Sequence, residues 1–210
     1  MSILPLTTLA GVPLSGRRVR LERLAPRHIS SLHRIASDEA AATMWPLFGR
    51  IVSAEEFEGY LWRLSQLQFV VLRRDSGVPV GLLQGVDEDL RNGTIGLALF
   101  VDPTLWQAGW PFEGAVLFLE YLFNGLGYRK VYCHMPASVL DRLGGPLDVH
   151  LVREGTFNQH LKAGDGYEDL HISSIHREAW DSNYARRITG NSTPMNTTSL
   201  GDDEQATDRP

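Results

Sequence analysis

The stretch that most constrains this chain runs from Thr94 to Met135. It opens with "TIGLALFV" (94–101), a nearly all-apolar run that predicts a central strand buried on both faces. A loop rich in Pro, Trp and Gly follows, "DPTLWQAGWP". Phe112, Ala115, Val116, Leu119, Leu122, Phe123 and Leu126 then share one broad helical face, with Glu113, Glu120 and Asn124 off it. Gly127 stands as a C-cap, and "KVYCHM" (130–135) reads as the next strand. Strand, loop, helix and strand in that order predict a crossover between parallel neighbours.

The flanking elements set the class. "RRVRLERL" (17–24) reads as a first strand, and Pro26 opens a helix over 26–38 with Ile29, Leu32, Ile35 and Ala36 at helical spacing. Ser53 and Glu56 form a capping box before a helix over 54–66, with Phe57, Tyr60, Leu61 and Leu64 inward. Strands 67–74 and 79–89 meet at "DSG", and Asn92-Gly93 is a hairpin signal ahead of the central strand. After the crossover come a short helix (136–144) ended by Gly144-Gly145 and a closing hairpin, 147–162 with 167–177. This order predicts an α+β single domain over 17–184, built on a mixed central β-sheet flanked by helices. Residues 1–16 read as an irregular N-terminal arm, and 185–210, rich in Ser, Thr, Asn and Asp, as a disordered tail.

Composition excludes several classes. Apolar residues make up 43% and charged residues 21%, as in soluble globular proteins. A net charge of −5 argues against nucleic acid as a partner. Arg17, Arg18, Arg20 and Arg23 cluster locally, which reads first as a solvated strand face. The single cysteine, Cys133, excludes an intrachain disulfide and a cysteine zinc site. His171 and His176 are an odd number apart on a strand and point to opposite faces, so with His160 they predict no metal site. No apolar run reaches the roughly 20 residues of a membrane span. The first charge is Arg17, so no secretory signal is expected and a cytoplasmic location is. Eighteen arginines against two lysines, Lys130 and Lys162, point to GC-rich coding and a bacterial source.

The loop before the crossover helix is the first functional candidate. A helix start leaves backbone N–H groups unpaired and carries partial positive charge, so a small-residue loop there can cradle an anion. Ala108 and Gly109 supply the small residues, while Pro111 pre-sets the first turn and removes one donor. An ordinary strand-to-helix turn is the alternative.

Over residues 14–181 the chain resembles the GNAT (GCN5-related) N-acetyltransferase superfamily, in the branch of ribosomal-protein alanine and serine N-acetyltransferases. "LSGRRVRLERLAPRHISSLHRIASD" is similar to that branch's opening strand and helix. "LWQAGWPFEGAVLFLEYLFNGLGYRKVYCHM" is similar to its coenzyme A loop, helix and next strand, with Gly109, Trp110 and Glu113 on motif positions. "EGTFNQHLKAGDGYEDLHISSIHREAW" is similar to its closing hairpin and terminal Glu-x-Trp. The resemblance implies an acetyl-CoA co-substrate. The pantetheine arm would lie along Leu99, Phe100 and Val101, and the pyrophosphate on Gln107, Ala108, Gly109, Trp110 and Phe112. The chain departs from the pattern at Trp106, where the family has Arg or Gln, and at Pro111, where it has a small residue. Thr94 stands nearest the place of a strand glutamate, and the Asn-x-x-Ser after the next strand is missing.

Acyl transfer to an amine needs a base for the ammonium proton and an acid for the leaving thiolate. His134, at the end of the strand after the loop, is the candidate base, and Ser138 the candidate acid. Asp87, Glu88 and Asp89 are alternative carboxylates that also read as solvated turn residues. Cys133 and His134, adjacent on a strand, face opposite sides and do not form a nucleophile pair. Trp45, Phe48, Tyr60 and Trp62 could wall an acceptor pocket or pack in the core. Three functions remain open: an acyl-CoA-dependent N-acyltransferase acting on a small-molecule or peptide amine, a CoA-binding or regulatory module without turnover, and a transferase that takes its acyl group from an acyl-carrier protein. Monomer and homodimer both remain open.

Overall fold

The computed structural model describes residues 8–9, 12–38, 41, 50, 52–65, 67–143 and 150–190. Strands β1 (Thr8–Leu9) and β2 (Val12–Pro13) form a small hairpin. Strand β3 (Val19–Arg23) and helices α1 (Pro26–Ala36) and α2 (Ala54–Leu64) follow, then β4 (Leu67–Arg73), β5 (Pro79–Asp89) and β6 (Thr94–Val101). A 3-10 turn (Pro103–Ala108) leads into α3 (Trp110–Glu120), which loosens into a π turn (Tyr121–Gly125). Strand β7 (Lys130–Pro136), helix α4 (Ala137–Leu143), strands β8 (Val152–Ala163) and β9 (Gly166–His176) and helix α5 (Ser182–Thr189) follow.

The main sheet has seven strands in the order β3-β4-β5-β6-β7-β9-β8. Every neighbouring pair is antiparallel except β6 with β7, the expected crossover. The sheet is mixed and helix-flanked, as an α+β chain of this pattern requires. Period-two alternation divides β4 between two cores. Phe69 and Val71 pack against α3 with Val19, Leu21, Leu83, Ile95, Val116, Phe118 and Val131. Val70 and Leu72 pack with Leu82 of β5 against Ile29, Leu32, Phe57 and Leu61 of α1 and α2. Phe69 meets Phe118 and Tyr121 at centroid distances of 5.7 and 5.5 Å, which locks α3 across the strands. Among the described residues no helix is long and apolar enough to cross a membrane.

Several expectations are corrected. The N-terminal arm is not irregular throughout: Val12 and Leu14 are buried, Val12 against the α3-side core, because the β1–β2 hairpin folds back there. The chain stays ordered past 184. Ala185 and Thr189 are buried on α5, whose short amphipathic face docks on α3 despite its polar composition. Residues 191–210 and Gly144-Gly145 lie outside the described residues. Leu64 is exposed, since α2 turns it away from the sheet. Strand β6 is not buried throughout: Gly96–Phe100 are half-buried, although β7 still pairs with Gly96 and Leu97 and leaves only beyond them.

Helix α1 starts on Ala25, which has no side chain to cap it, and His28 serves instead, its Nδ1 accepting the Ala25 N–H at 3.2 Å. The ring is buried beside Glu22. Burial, then the charges of Arg27 and Arg20, pull its pKa from 6.5 down to about 4. The unfolded chain therefore binds a proton that the fold refuses between these values. Stability is full above pH 6.5 and falls as pH drops toward 4, by at most about 1.4 kcal/mol per unit. Thermal unfolding of wild type and His28→Gln across pH 4–7 checks this. The difference between the two proteins should shrink or reverse as pH falls. A constant difference would place His28 in solvent.

Candidate functional site

The site forms where β6 and β7 part. Their ladder runs from Thr94 opposite Lys130 to Leu97 opposite Cys133. Strand β6 stays paired with β5 through Val101, and β7 with β9 through Pro136. From Ala98 onward the two strands thus diverge, and each keeps an edge of backbone N–H and C=O groups facing the gap. An extended ligand can pair with such an edge as an added strand does. Leu99 and Phe100 are half-buried at the gap and Val101 is buried. Leu99 leans on the α3-side core and Phe100 on the opposite one.

The loop lies at the open end of this gap. Asp102 starts it by accepting the Thr104 N–H at 3.0 Å and the Thr104 hydroxyl at 2.6 Å. Gln107 and Ala108 contribute backbone to the 3-10 turn. Gly109 then takes φ +70, a left-handed conformation that strains any other residue type, and α3 begins on it. Gly109 brings no capping side chain and Pro111 no N–H, so Trp110 and Phe112 carry the first helical donors. The Glu113 N–H already bonds the Gly109 carbonyl at 3.2 Å. Trp110 and Phe112 are half-buried against the core, with the Arg73 guanidinium 4.6 Å from the Trp110 ring centroid.

Beneath the loop sits Glu113, a wholly buried carboxylate. Its Oε1 accepts the Arg18 backbone N–H at 2.9 Å and its Oε2 the Arg18 Nε–H at 3.1 Å. Arg18 Nη2 in turn donates to the Gly109 carbonyl at 3.4 Å. Gly16 makes room for the carboxylate: a Cβ there would stand 2.1 Å from Oε1. The sequence placed Glu113 off the apolar face and Arg18 in a basic cluster. Nothing in either segment pairs them across 95 positions.

His134 is the first β7 residue beyond the ladder, and it is exposed. Val131 lies in the α3-side core, so alternation puts Cys133 on that face and turns Tyr132 and His134 to the α1/α2 side. Cys133 is buried, and desolvation pushes its thiol up to about 12, which removes it as a nucleophile. Ser138 is exposed on α4, its N–H donating to Glu168 at 3.0 Å. The structure thus puts His134 at the gap with Leu99, Phe100 and Val101, and the 107–112 loop at its mouth. Asp87, Glu88 and Asp89 lie elsewhere. Asp89 pairs with Thr94 at the opposite end of β6, roughly 23 Å along the strand from Val101. There Asp89 accepts from Asn92, whose N–H groups lower its pKa, and Glu88 accepts from the Tyr128 hydroxyl.

Sequence reasoning also missed a buried amide pair. Gln84, directly opposite Ala98, donates to Gln68 at 2.6 Å, and Gln68 donates to the Leu61 and Ser65 carbonyls. This ties the end of α2 to β4 and to β5, the neighbour of β6; two glutamines inside apolar strands were the available signal. Tyr60 is half-buried against the α1/α2 core, and Trp62 is exposed with its Nε1 on Glu58. Trp45 and Phe48 lie outside the described residues. Among the described residues no group of three His, Cys, Asp or Glu is placed to hold a metal ion.

Residues 18–138 match the model of the acetyltransferase (GNAT) domain. A GCN5-related N-acetyltransferase structure from Brucella melitensis is similar at 25% identity and TM-score 0.65, covering 91% of this chain and 90% of that one. A probable GNAT acetyltransferase from Chromobacterium violaceum is similar at 21% identity and TM-score 0.65, covering 86% and 96%. A Vibrio cholerae spermidine N-acetyltransferase, solved with CoA and spermine, is similar in fold at 16% identity and TM-score 0.67, covering 77% and 97%. No curated protein matches the sequence.

Two outcomes follow from the buried groups. Glu113→Gln should lower stability by about 1–3 kcal/mol, since the Arg18 donors lose a charged acceptor; an unchanged urea midpoint would mean the carboxylate is solvated. Cys133 should resist a thiol-specific disulfide reagent in the native protein and react fully on denaturation, as followed by thiolate release.

Proposed function

The chain belongs to the acetyltransferase (GNAT) family of N-acetyltransferases, and we propose that it transfers an acetyl group from acetyl-CoA to a primary amine by direct attack in a ternary complex. The observation that carries this reading is the divergence of β6 from β7 immediately before the glycine turn that opens α3. The β6 edge at Leu99, Phe100 and Val101 would pair with the amide groups of the pantetheine arm. The loop at Gln107, Ala108, Gly109, Trp110 and Phe112 would receive the pyrophosphate through backbone N–H groups and the positive end of α3. The thioester would then lie in the gap beside His134.

The acceptor would approach from the α1/α2 face, where His134 points. A primary ammonium has a pKa near about 10 and must lose a proton before it attacks. His134 would take that proton, directly or through water; a positioned base contributes roughly 10²–10⁴-fold. The amine nitrogen bonds the carbonyl carbon, the carbon–sulfur bond breaks, and the departing thiolate takes a proton, for which Ser138 is the candidate donor. Small amines, polyamines and peptide N-termini are the acceptor classes to screen; the ribosomal-protein branch resemblance favours the last. The Vibrio cholerae protein's spermine is a probe drawn from fold likeness alone.

Acceptor-dependent release of free thiol from acetyl-CoA is the expected activity. His134→Ala should reduce turnover at least tenfold while CoA affinity changes less than twofold; unchanged turnover would remove His134 from the mechanism. Gly109→Trp should abolish CoA binding in a calorimetric titration. CoA binding with no turnover on any amine would favour a binding module. Thiol release only with an acyl-carrier protein would favour the carrier-protein donor.

A further inference from the structure

We propose that Arg18 is a phosphate-binding residue of the coenzyme site, oriented for that role by the buried Glu113. This rests on reading the 102–112 segment as the coenzyme loop. That segment, "DPTLWQAGWPF", holds no Lys, Arg or His, and its only charge is the acid Asp102. A diphosphate brings at least two negative charges. The start of α3 offers about half a positive charge and lacks the N–H of Pro111. The balancing cation has to come from elsewhere in the fold.

Arg18 comes from the start of β3, 91 residues before Gly109. Its Nη2 and Nη1 lie 3.2 and 3.6 Å from the point where a Gly109 Cβ would stand. The missing side chain lets the guanidinium sit against the left-handed turn. Glu113 holds the Nε and the Arg18 backbone N–H, which fixes the plane and direction of the fork. The acid end is buried and the arginine side chain stays half-exposed, 52% against 1%. The cation therefore faces solvent at the loop while its counter-charge is hidden under it. A planar guanidinium suits paired phosphate oxygens. Arg73 over Trp110 and Arg74, bonded to the Gly16 carbonyl at 2.9 Å, crowd the same helix start. Their charges are set against Glu113, the Asp75 that pairs with Arg73, and Asp102 at the start of the loop.

The test titrates wild type, Arg18→Gln and Arg18→Lys with CoA and with pantetheine, which lacks every phosphate. Arg18→Gln should weaken CoA at least tenfold, change pantetheine less than twofold, and flatten the salt dependence of CoA binding. Arg18→Lys should recover part of the loss. An equal loss for both ligands would make Arg18 a brace of the loop and overturn the proposal, as would CoA affinity within twofold of wild type. Modification of Arg18 by phenylglyoxal in the wild-type protein, read by peptide mass spectrometry, gives a result no folding defect can confuse. CoA should slow it at least fivefold and pantetheine should not; equal protection by both, or none, overturns the proposal. Wild type that binds no CoA defeats the functional reading as well. CoA binding indifferent to Arg18 defeats this proposal alone.

Discussion

A carboxylate with no solvent exposure sits in the first turn of the crossover helix, and the architecture around it follows from satisfying it. Moving a carboxylate from water to an apolar interior costs several kcal/mol even after relaxation, so Glu113 is tolerable only with charged or strongly polar donors in place. Arg18 supplies two of them, one from its backbone and one from its guanidinium. Meeting that demand brings the start of β3 against the start of α3 and requires glycine at position 16. It also leaves the guanidinium beside Gly109. One buried charge thus fixes the height and angle at which the helix begins.

The second constraint is the parallel pairing of β6 with β7. Four residue pairs hold the strands together and then the ladder ends, while each strand remains tied to its outer neighbour. Antiparallel pairs on both sides stiffen the two halves of the sheet, so the gap between them is a built feature and not fraying. The apolar face of α3 packs on one face of the sheet through Val116, Leu117 and Phe118. On the other side, the α1/α2 core draws on Val70, Leu72 and Leu82 from β4 and β5 and is joined by Phe100. His134 on β7 stays exposed on that side. The coenzyme and acceptor directions proposed above rest on this asymmetry.

Much of this was readable before any coordinates. Strands 79–89 and 94–101 coincide with β5 and β6, because turn signals and apolar runs are local. The capping box at Ser53 and Glu56 forms as expected, its Ser53 N–H bonding Glu56 at 2.8 Å. Where reading failed, the missing information was not local. Ser182–Thr189 has a polar composition, yet Ala185 finds a buried place beside α3. Apolar content alone predicted full burial of β6, but Gly96–Phe100 are only half-buried, and burial depends on what the rest of the chain packs over them. The sequence analysis did not single out His28; its ring caps Ala25, and burial and two arginines hold its pKa down.

The sequence by itself determined the order of elements from β3 to β9, the crossover with its parallel strands, and the glycine turn at the mouth of α3. Side-chain periodicity and turn chemistry act within a few residues and survive in the unfolded chain. The tertiary structure alone decided where β6 and β7 part, which face His134 takes, and that Arg18 reaches Gly109 by way of Glu113. Those depend on groups up to 95 positions apart being desolvated together, and no local pattern encodes that.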